Sequence, residues 1–262
     1  MTIIAVTGAS GFIGKHLVEA LNNRPNTKVV VFNRGDTLDK ILDAEIIYHL
    51  AAAIRPKNPQ EFEFSNVNLT KNLCDKFSSI GKKPTIILTS SYRVELQDGY
   101  GISKIKAEEI VEDWSKKTGG KSIIYRLRGT FGKWCKPNYN SVVSTFCYNI
   151  SHDKPITVSD SKKEIRINYI DDVIKSMLSI LDESNENKIY REVYPMYDVT
   201  LGDLVEKIRA FDESRRNLKI PNLTNRFDQS LYATYLSYLD KSNWEYTLDI
   251  KTDNRGCLAE FI

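Results

Sequence analysis

The stretch Thr7-Gly8-Ala9-Ser10-Gly11-Phe12-Ile13-Gly14 decides the fold of this 262-residue chain. It follows a short apolar run, residues 3–6, and it opens a segment in which Ile13, Leu17 and Leu21 recur at helical spacing. The order of elements is therefore strand, glycine turn and helix. This order is typical of a turn that binds the phosphates of a dinucleotide.

Each glycine of this turn has its own physical role. Gly8 permits the tight turn, Gly11 lets backbone amides approach a pyrophosphate, and Gly14 lets the helix pack close to the strand. The helix N-terminus adds unpaired amides and a positive dipole end. We therefore expect the pyrophosphate to be cradled by Gly8, Gly11, Phe12, Ile13 and Gly14. The alternative is an ordinary turn with three structural glycines.

The next apolar run, residues 28–32, predicts a buried strand of a parallel sheet, and it ends at Asn33-Arg34. In a dinucleotide fold, the residue about 20 positions after the glycines meets the adenine ribose. An acidic residue there would favour NAD, whereas a neutral Asn followed by Arg suits a 2′-phosphate. The sequence therefore favours NADPH, unless Arg34 is only a solvated loop residue.

Further strands are predicted at residues 45–50, 85–88 and 122–126, with helical segments between them. Small residues that follow a strand let a cofactor lie against the backbone. The cofactor site is therefore extended to Leu50, Ala51, Ala52 and Leu88. The fold class expected is α/β, a Rossmann-type doubly wound parallel sheet with a small C-terminal substrate-binding lobe.

Tyr100 and Lys104 carry the predicted chemistry. They are four residues apart and share one face of a predicted helix. A neighbouring ammonium is expected to lower the pKa of the phenol, so that Tyr100 can donate or remove a proton at a substrate oxygen. Ser90 and Ser91, at the preceding strand end, are candidates to hold that oxygen. An exposed helix pair is the plain alternative.

Composition excludes several classes of function. The net charge of +3 is mild and no basic cluster stands out, so a nucleic-acid surface is not expected. The four cysteines are far apart and the three histidines are scattered, which argues against a metal site and for free thiols in the cytoplasm. A signal peptide and a membrane-length apolar run are not expected either.

The run from Phe131 to Ser141 is polar, aromatic and basic. Lys133 and Lys136 are candidates to meet an anionic substrate, together with Asn138, and Trp134 or Tyr139 could stack on a base. A solvated turn explains the same residues equally well.

Several motifs together resemble the extended short-chain dehydrogenase/reductases that act on nucleotide sugars. They are Thr-Gly-x-x-Gly-x-x-Gly at 7–14, His-Leu-Ala-Ala at 49–52, Thr-Ser-Ser at 89–91, Tyr-x-x-x-Lys at 100–104 and Tyr-Ile-Asp-Asp-Val at 169–173. A narrower resemblance, to the CapF/WbjC enzymes of bacterial capsule and O-antigen synthesis, rests mainly on residues 131–142 and on Arg55-Pro56.

The resemblance implies an NADPH-dependent reductase of the C4 ketone of a UDP-2-acetamido-2,6-dideoxy-hexulose, on the route to N-acetyl-L-fucosamine. It implies a homodimer and a C-terminal metal cupin that performs the preceding epimerisation. The domains expected are a reductase over 1–240 and a linker with the first strand of a truncated cupin over 241–262. Within the reductase, the cofactor core is about 1–130 plus 165–185, and the substrate lobe is 131–164 and 186–240. A separate cupin epimerase is then a possible partner.

Two departures from the resembled family affect the substrate residues. Relatives usually have Arg-x-Pro-Asn after the fifth strand, whereas this chain has Arg126-Leu127-Arg128-Gly129, so the contact of that Asn cannot be carried over. Arg166 replaces a residue that is often uncharged and is a candidate for the diphosphate. The substrate set is therefore Arg55, Lys133, Lys136, Asn138 and Arg166.

Two other functions remain open. An epimerase or dehydratase on the same scaffold would use NAD, but a dehydratase needs an acid and base pair where this chain has Tyr92-Arg93 after Ser91. The second is a non-catalytic NADPH-binding protein, although such relatives often lose the Tyr/Lys pair that this chain keeps.

Overall fold

A computed structural model describes residues 1–182, 189–245, 248 and 250–259. The chain forms two compact units, the first from residues 1–130 and 166–198 and the second from 131–165 and from 199 onward. The expected substrate lobe resumed at residue 186, but residues 189–198 group with the first unit. Residues 186–188 and Glu260–Ile262, the latter assigned from sequence to a cupin strand, lie outside the described residues.

The helices and strands follow one another in a regular order. They are β1 (Thr2–Thr7), α1 (Phe12–Asn22), β2 (Thr27–Phe32), β3 (Ile46–His49), α2 (Gln60–Phe62), α3 (Leu69–Ser79), β4 (Thr85–Ser91), α4 (Gly99–Thr118), β5 (Ser122–Leu127), β6 (Gly129–Phe131), α5 (Val142–Ser151), β7 (Glu164–Tyr169), α6 (Ile170–Ser179), β8 (Tyr190–Arg191), β9 (Tyr197–Thr200), α7 (Leu201–Asn217), α8 (Arg226–Leu236), β10 (Ile250–Asp253) and β11 (Gly256–Ala259). A π-helical turn, Glu63–Asn68, joins α2 to α3.

The main sheet lies in the first unit and has the order β2-β1-β3-β4-β5-β8, with every described pairing parallel. The chain moves outward from β1 to β2 and then returns to β3 on the other side of β1. The strand order therefore reverses between β1 and β3, and ligands of such sheets bind outside the carboxyl ends at this reversal. The doubly wound Rossmann-type prediction is confirmed.

Helices cover both faces of this sheet. On one face α1 packs against α6, and on the other α3 packs against α4. Each face has its own apolar core, with Leu17 and Val173 in one and Phe77 and Val111 in the other. Burial of these side chains removes apolar area from water, which is the main favourable term in folding.

The strand β2 differs from its prediction in one respect. It lies at the edge of the sheet, and Val29, Val30 and Val31 are only half-buried. The apolar run correctly predicts a strand, but it does not predict a central one. Only Phe32, the last residue of the strand, is buried.

Two helix starts show how local side chains set the ends of elements. Thr200 caps α7, as its side-chain oxygen accepts a hydrogen bond of 3.0 Å from the Asp203 amide. Asp171 and Asp172 lie inside the first turn of α6, whose N-cap is Tyr169. Acidic residues in a first turn still match the positive end of the helix dipole.

The second unit contains α5, α7 and α8, and its described residues end in the hairpin of β10 and β11. Three short strands, β6, β7 and β9, form a separate sheet. Among the described residues, every helix is too short or too polar to span a bilayer.

Candidate active site

The glycine turn between β1 and α1 is closed by backbone contacts. Gly8 has a φ of +69°, and a Cβ at this position would lie 2.7 Å from the Ala51 amide nitrogen. A Cβ at Gly14 would lie 2.7 Å from the Cα of Ala9. No real Cβ is found so close to backbone, so both positions require glycine for packing within the protein itself.

Gly11 differs from Gly8 and Gly14, because the protein around it leaves room for a side chain. Its φ is −73° and a Cβ would approach only the Gly8 carbonyl oxygen, at 3.1 Å. As N-cap of α1 it has no side chain to bond the first-turn amides, and residues 12–14 carry no acidic group. An open, uncapped and unopposed helix N-terminus fits the pyrophosphate of a dinucleotide.

A buried histidine ties the carboxyl ends of β1 and β3 to α3. The two ring nitrogens of His49 lie 2.8 Å from Thr7 Oγ1 and 2.9 Å from Thr70 Oγ1. Thr7 Oγ1 also accepts from the Ala51 amide at 3.1 Å, so the network positions the predicted cofactor segment Leu50–Ala52. Burial, and next the charge of Lys104, lower the pKa of His49 to about 3.

We expect His49 to make the folded protein acid-sensitive. In the unfolded chain His49 gains a proton below about pH 6.5, whereas the folded protein holds it neutral down to about pH 3. The free energy of unfolding should therefore fall as pH drops below 6.5, by up to about 1.4 kcal/mol per pH unit from this residue. Urea unfolding at pH 4.5 to 7.5 measures the slope, and His49→Asn should flatten it; an identical slope in that variant would contradict the prediction.

Tyr100 lies at the start of α4, one residue after the helix begins. Asp98 caps this helix by accepting from the Gly101 amide at 2.8 Å, and it also pairs with Arg93. The Arg93 guanidinium carbon lies 5.2 Å from the centre of the Tyr100 ring. A Cβ at Gly101 would overlap the Arg93 backbone, so the cap and the turn before it are packed tightly against each other.

The Tyr100 phenol is a weaker acid than the sequence suggests. Burial raises its pKa to about 12, against the lowering effect of Arg93 and of a hydrogen bond with Ser91. The net shift is upward because desolvation outweighs the favourable charges, and the lowering by Lys104 stays a prediction. Tyr100 is therefore fully protonated at neutral pH and can serve as a proton donor.

Lys104 is buried beneath Tyr100. Its ammonium donates to the Thr89 carbonyl at 2.8 Å and lies 5.9 Å from the centre of the Tyr100 ring. Burial lowers its pKa to about 8, while Glu108 acts to raise it. The helical spacing thus places the two side chains together, as predicted.

The two candidate serines differ in their surroundings. Ser91, the last residue of β4, lies within hydrogen-bonding reach of the Tyr100 hydroxyl and also accepts from the Arg93 amide at 3.2 Å. Ser90 is buried, and its hydroxyl has no hydrogen-bond partner among the described residues. Alternation along the strand explains the difference, since neighbouring side chains point to opposite faces. Of the two serines, Ser91 is therefore the one that faces the Tyr100 hydroxyl.

Sequence reasoning did not identify Asn66. This buried residue lies in the π-helical turn, and its amide bonds the Ala53 backbone nitrogen and oxygen at 2.7 and 3.0 Å. The same amide donates to Ser103 Oγ at 2.9 Å, beside Lys104. Asn66 therefore joins the segment after β3 to α4. The sequence signal that could have identified Asn66 is its position as a polar residue on the apolar face of a predicted helix.

The remaining cofactor residues are placed as follows. Arg34 follows β2, is 88% exposed, and pairs with Glu61 of α2 at 3.1 Å. The backbone N–H of Asn33 donates to Asp36 Oδ2 at 2.8 Å, within the turn that follows the strand. Leu88 is buried in β4 and does not reach the surface.

The five substrate candidates are not one cluster within either unit. In the first unit Arg55 is exposed after β3, and Arg166 makes a bidentate ion pair with Asp198 at 2.6 and 2.8 Å. A paired guanidinium must exchange this partner before it can bind a diphosphate. The other three, Lys133, Lys136 and Asn138, belong to the second unit.

The loop before α5 is shaped by its own contacts within the second unit. The Lys133 and Lys136 ammonium groups lie 4.7 Å and 5.5 Å from the ring centres of Trp134 and Tyr139. The backbone N–H of Asn138 donates to Thr145 Oγ1 at 3.0 Å. Both aromatic rings are substantially exposed, so the loop presents a basic and aromatic surface.

Within the part of the chain that the structure describes, no group of three or more His, Cys, Asp or Glu side chains is placed to hold a metal ion. The thiols of Cys74, Cys135 and Cys147 are buried, and burial raises the pKa of each.

Known proteins share both this sequence pattern and this fold. The family described as NAD dependent epimerase/dehydratase matches residues 4–194. A UDP-2-acetamido-2,6-beta-L-arabino-hexul-4-ose reductase of Pseudomonas aeruginosa is 37% identical over 263 aligned residues, which cover 99% of this chain and 71% of the relative.

Solved structures of other proteins share the fold of this chain. The capsular polysaccharide assembling protein CapF of Staphylococcus aureus superposes with a TM-score of 0.88 at 35% identity, covering 100% of this chain and 72% of that one. A UDP-glucuronic acid 4-epimerase of Bacillus cereus, solved in complex with NAD, gives a TM-score of 0.78 at 19% identity over 90% of this chain and 98% of that one, which shows the shared fold.

The family profile covers most of the chain, including the glycine turn and the Tyr100 and Lys104 pair. The relatives above 30% identity span nearly all of it. The chain belongs to the NAD dependent epimerase/dehydratase family, within the extended short-chain dehydrogenase/reductases, and is similar to the Pseudomonas aeruginosa reductase and to CapF.

Proposed function

We propose that this protein is an NADPH-dependent reductase of the C4 ketone of a UDP-2-acetamido-2,6-dideoxy-hexulose. The observation that carries the proposal is the half-buried, protonated Tyr100 beside Ser91, with Lys104 beneath it, at the carboxyl end of β4. Reduction of a ketone requires a proton donor, and a phenol with a pKa near 12 supplies one. The reductase relative supports the choice of substrate.

The glycine turn and the first-turn amides of α1 would hold the cofactor pyrophosphate. When bound, the dinucleotide supplies the hydride for the substrate carbon. The chain's own residues handle the oxygen: Ser91 orients the carbonyl, and the Tyr100 hydroxyl gives its proton to the oxygen as negative charge develops there. Lys104 stabilises the phenolate that remains, because an adjacent cation favours the charged form.

The preference for NADPH rests on Arg34. A solvent-exposed guanidinium at the end of β2 is available to pair with a 2′-phosphate in place of Glu61. We expect Arg34→Ala to raise the KM for NADPH about tenfold, because one charge-assisted contact is lost, while the KM for NADH stays unchanged.

Initial rates with both dinucleotides test this expectation. Lys28→Ala is a matched control, since Lys28 is an exposed cation at the opposite end of β2. An equal loss of affinity for NADH and NADPH in Arg34→Ala would contradict the role given to the 2′-phosphate.

We assign the UDP moiety to the second unit. The lysines of the loop before α5 supply positive charge, and Trp134 and Tyr139 supply exposed aromatic faces for a base. Positive charge next to exposed aromatic rings suits the phosphates and the base of a nucleotide better than it suits a neutral sugar.

The decisive experiment is incubation of the purified protein with NADPH and UDP-4-keto sugars, followed at 340 nm. Consumption of NADPH with a 2-acetamido-2,6-dideoxy substrate is the expected result. No consumption with any 4-keto sugar would contradict the proposal. A nicotinamide absorbance that stays with the purified protein would instead favour an epimerase that retains NAD.

A further inference from the structure

A line of ionic and phenolic side chains runs from the site through the interior of the first unit. Lys104 is followed one helical turn later on α4 by Glu108, which is 2% exposed. Glu108 accepts two bonds from the Arg126 Nε, at 3.0 and 3.2 Å, and one from its Nη2 at 2.6 Å. Arg126 is on β5, and its guanidinium reaches solvent.

The Glu108 carboxylate is held from a second direction by β8. The Tyr190 hydroxyl lies 3.3 Å from Glu108 and 2.5 Å from Glu112, and the Arg126 guanidinium stacks on the Tyr190 ring at 4.5 Å. A carboxylate bonded by a guanidinium fork and a phenol is fixed in position. The pKa of Arg126 is raised by its hydrogen bonds with Glu108, so the guanidinium stays charged.

The groups that face Lys104 come from three elements. On its own helix they are Tyr100 and Glu108, on β4 the Thr89 carbonyl, and on β3 His49, which is neutral. Glu108 is the carboxylate that acts to raise the Lys104 pKa, against the larger effect of burial. Since the balance leaves that pKa at about 8, a small loss of favourable charge would uncharge the amine near neutral pH.

We propose that Glu108 is a positioning residue that keeps the Lys104 ammonium charged, with Arg126 and Tyr190 holding its carboxylate in place. The spacing of four residues on α4 puts the carboxylate on the same helix face as the amine. The catalytic consequence rests on the proposed function, whereas the charge coupling between Glu108 and Lys104 does not.

The coupling can be measured without substrate. Protein labelled at the lysine ε-carbon gives one NMR resonance per lysine, and Lys104→Arg identifies the resonance of Lys104. We expect Lys104 to titrate near pH 8 in the unaltered protein. In Glu108→Gln its pKa should fall by about one unit or more, because burial is then unopposed.

The matched control is Glu112→Gln. Glu112 is one turn further along α4 and also bonds Tyr190, but it does not influence the Lys104 pKa. In Glu108→Asp, which keeps a carboxylate, the Lys104 pKa should stay close to its value in the unaltered protein. Because Glu108→Gln leaves Arg126 without a carboxylate, the double variant Glu108→Gln/Arg126→Gln provides a second test with no orphaned charge.

Once turnover is established, the pH profile supplies a second readout. The basic limb of kcat/KM should move to lower pH in Glu108→Gln by the same amount as the Lys104 pKa, and activity should recover as pH is lowered. A Lys104 pKa that is unchanged in folded Glu108→Gln or in the double variant would overturn the proposal, even if thermal stability falls. If the unaltered protein shows no turnover but the Lys104 pKa falls as expected in Glu108→Gln, only the proposed function is overturned.

Discussion

Tyr100→Phe should lower kcat for ketone reduction about 10³-fold while leaving the KM for NADPH nearly unchanged. The phenyl ring keeps the packing beside Arg93, but it removes the only atom of this side chain that can give a proton. General acid catalysis by a positioned side chain contributes about 10² to 10⁴ in rate. Steady-state kinetics at 340 nm measure the effect.

Tyr92→Phe is the matched control, because Tyr92 directly follows Ser91 and loses the same hydroxyl. Its turnover should stay close to that of the unaltered protein. Tyr100→Phe with full turnover would show that another group protonates the substrate oxygen. The folded state of each variant can be checked by its thermal unfolding midpoint.

Gly14→Ala should destabilise the fold and abolish cofactor binding together. The new methyl group would lie 2.7 Å from the Cα of Ala9, so the helix must move away from β1. Overpacking of this kind costs about 1–3 kcal/mol, and the displaced amides of α1 can no longer meet the phosphates. Urea unfolding and NADPH fluorescence titration measure the two losses.

Gly11→Ala separates the two effects. Gly11 has an ordinary φ, and its Cβ would meet only one carbonyl oxygen, at 3.1 Å, so stability should change little. The methyl group would nevertheless stand where the phosphates approach, and NADPH affinity should fall at least about tenfold. Equal affinity in Gly11→Ala and the unaltered protein would place the phosphates elsewhere.

The site elements that sequence predicted well are those determined by local spacing. The glycine turn, the strand ends and the pair of Tyr100 with Lys104 follow from periodicity, and the structure brings Tyr100, Lys104 and Ser91 together. The same spacing puts Glu108 one turn beyond Lys104 on α4, although Glu108 was not among the predicted site residues. None of these placements requires knowledge of the distant parts of the chain.

What the sequence could not predict depends on partners far away in the chain. Arg166 looks free in the sequence, but Asp198, which pairs with it, is 32 residues further on. The Tyr100 pKa depends on how deeply the ring is buried, and burial is a tertiary property. The edge position of β2 likewise follows from the strand order, which no single segment encodes.

The closed glycine turn has a consequence for the energetics of binding. Its backbone is held by contacts within the protein, so the phosphate-binding amides already point in one direction before a dinucleotide arrives. Little conformational freedom then remains to be lost at this turn, and ordering of the turn does not subtract from the affinity. Association at the pyrophosphate end should therefore proceed without a slow closing step, at a rate set by encounter.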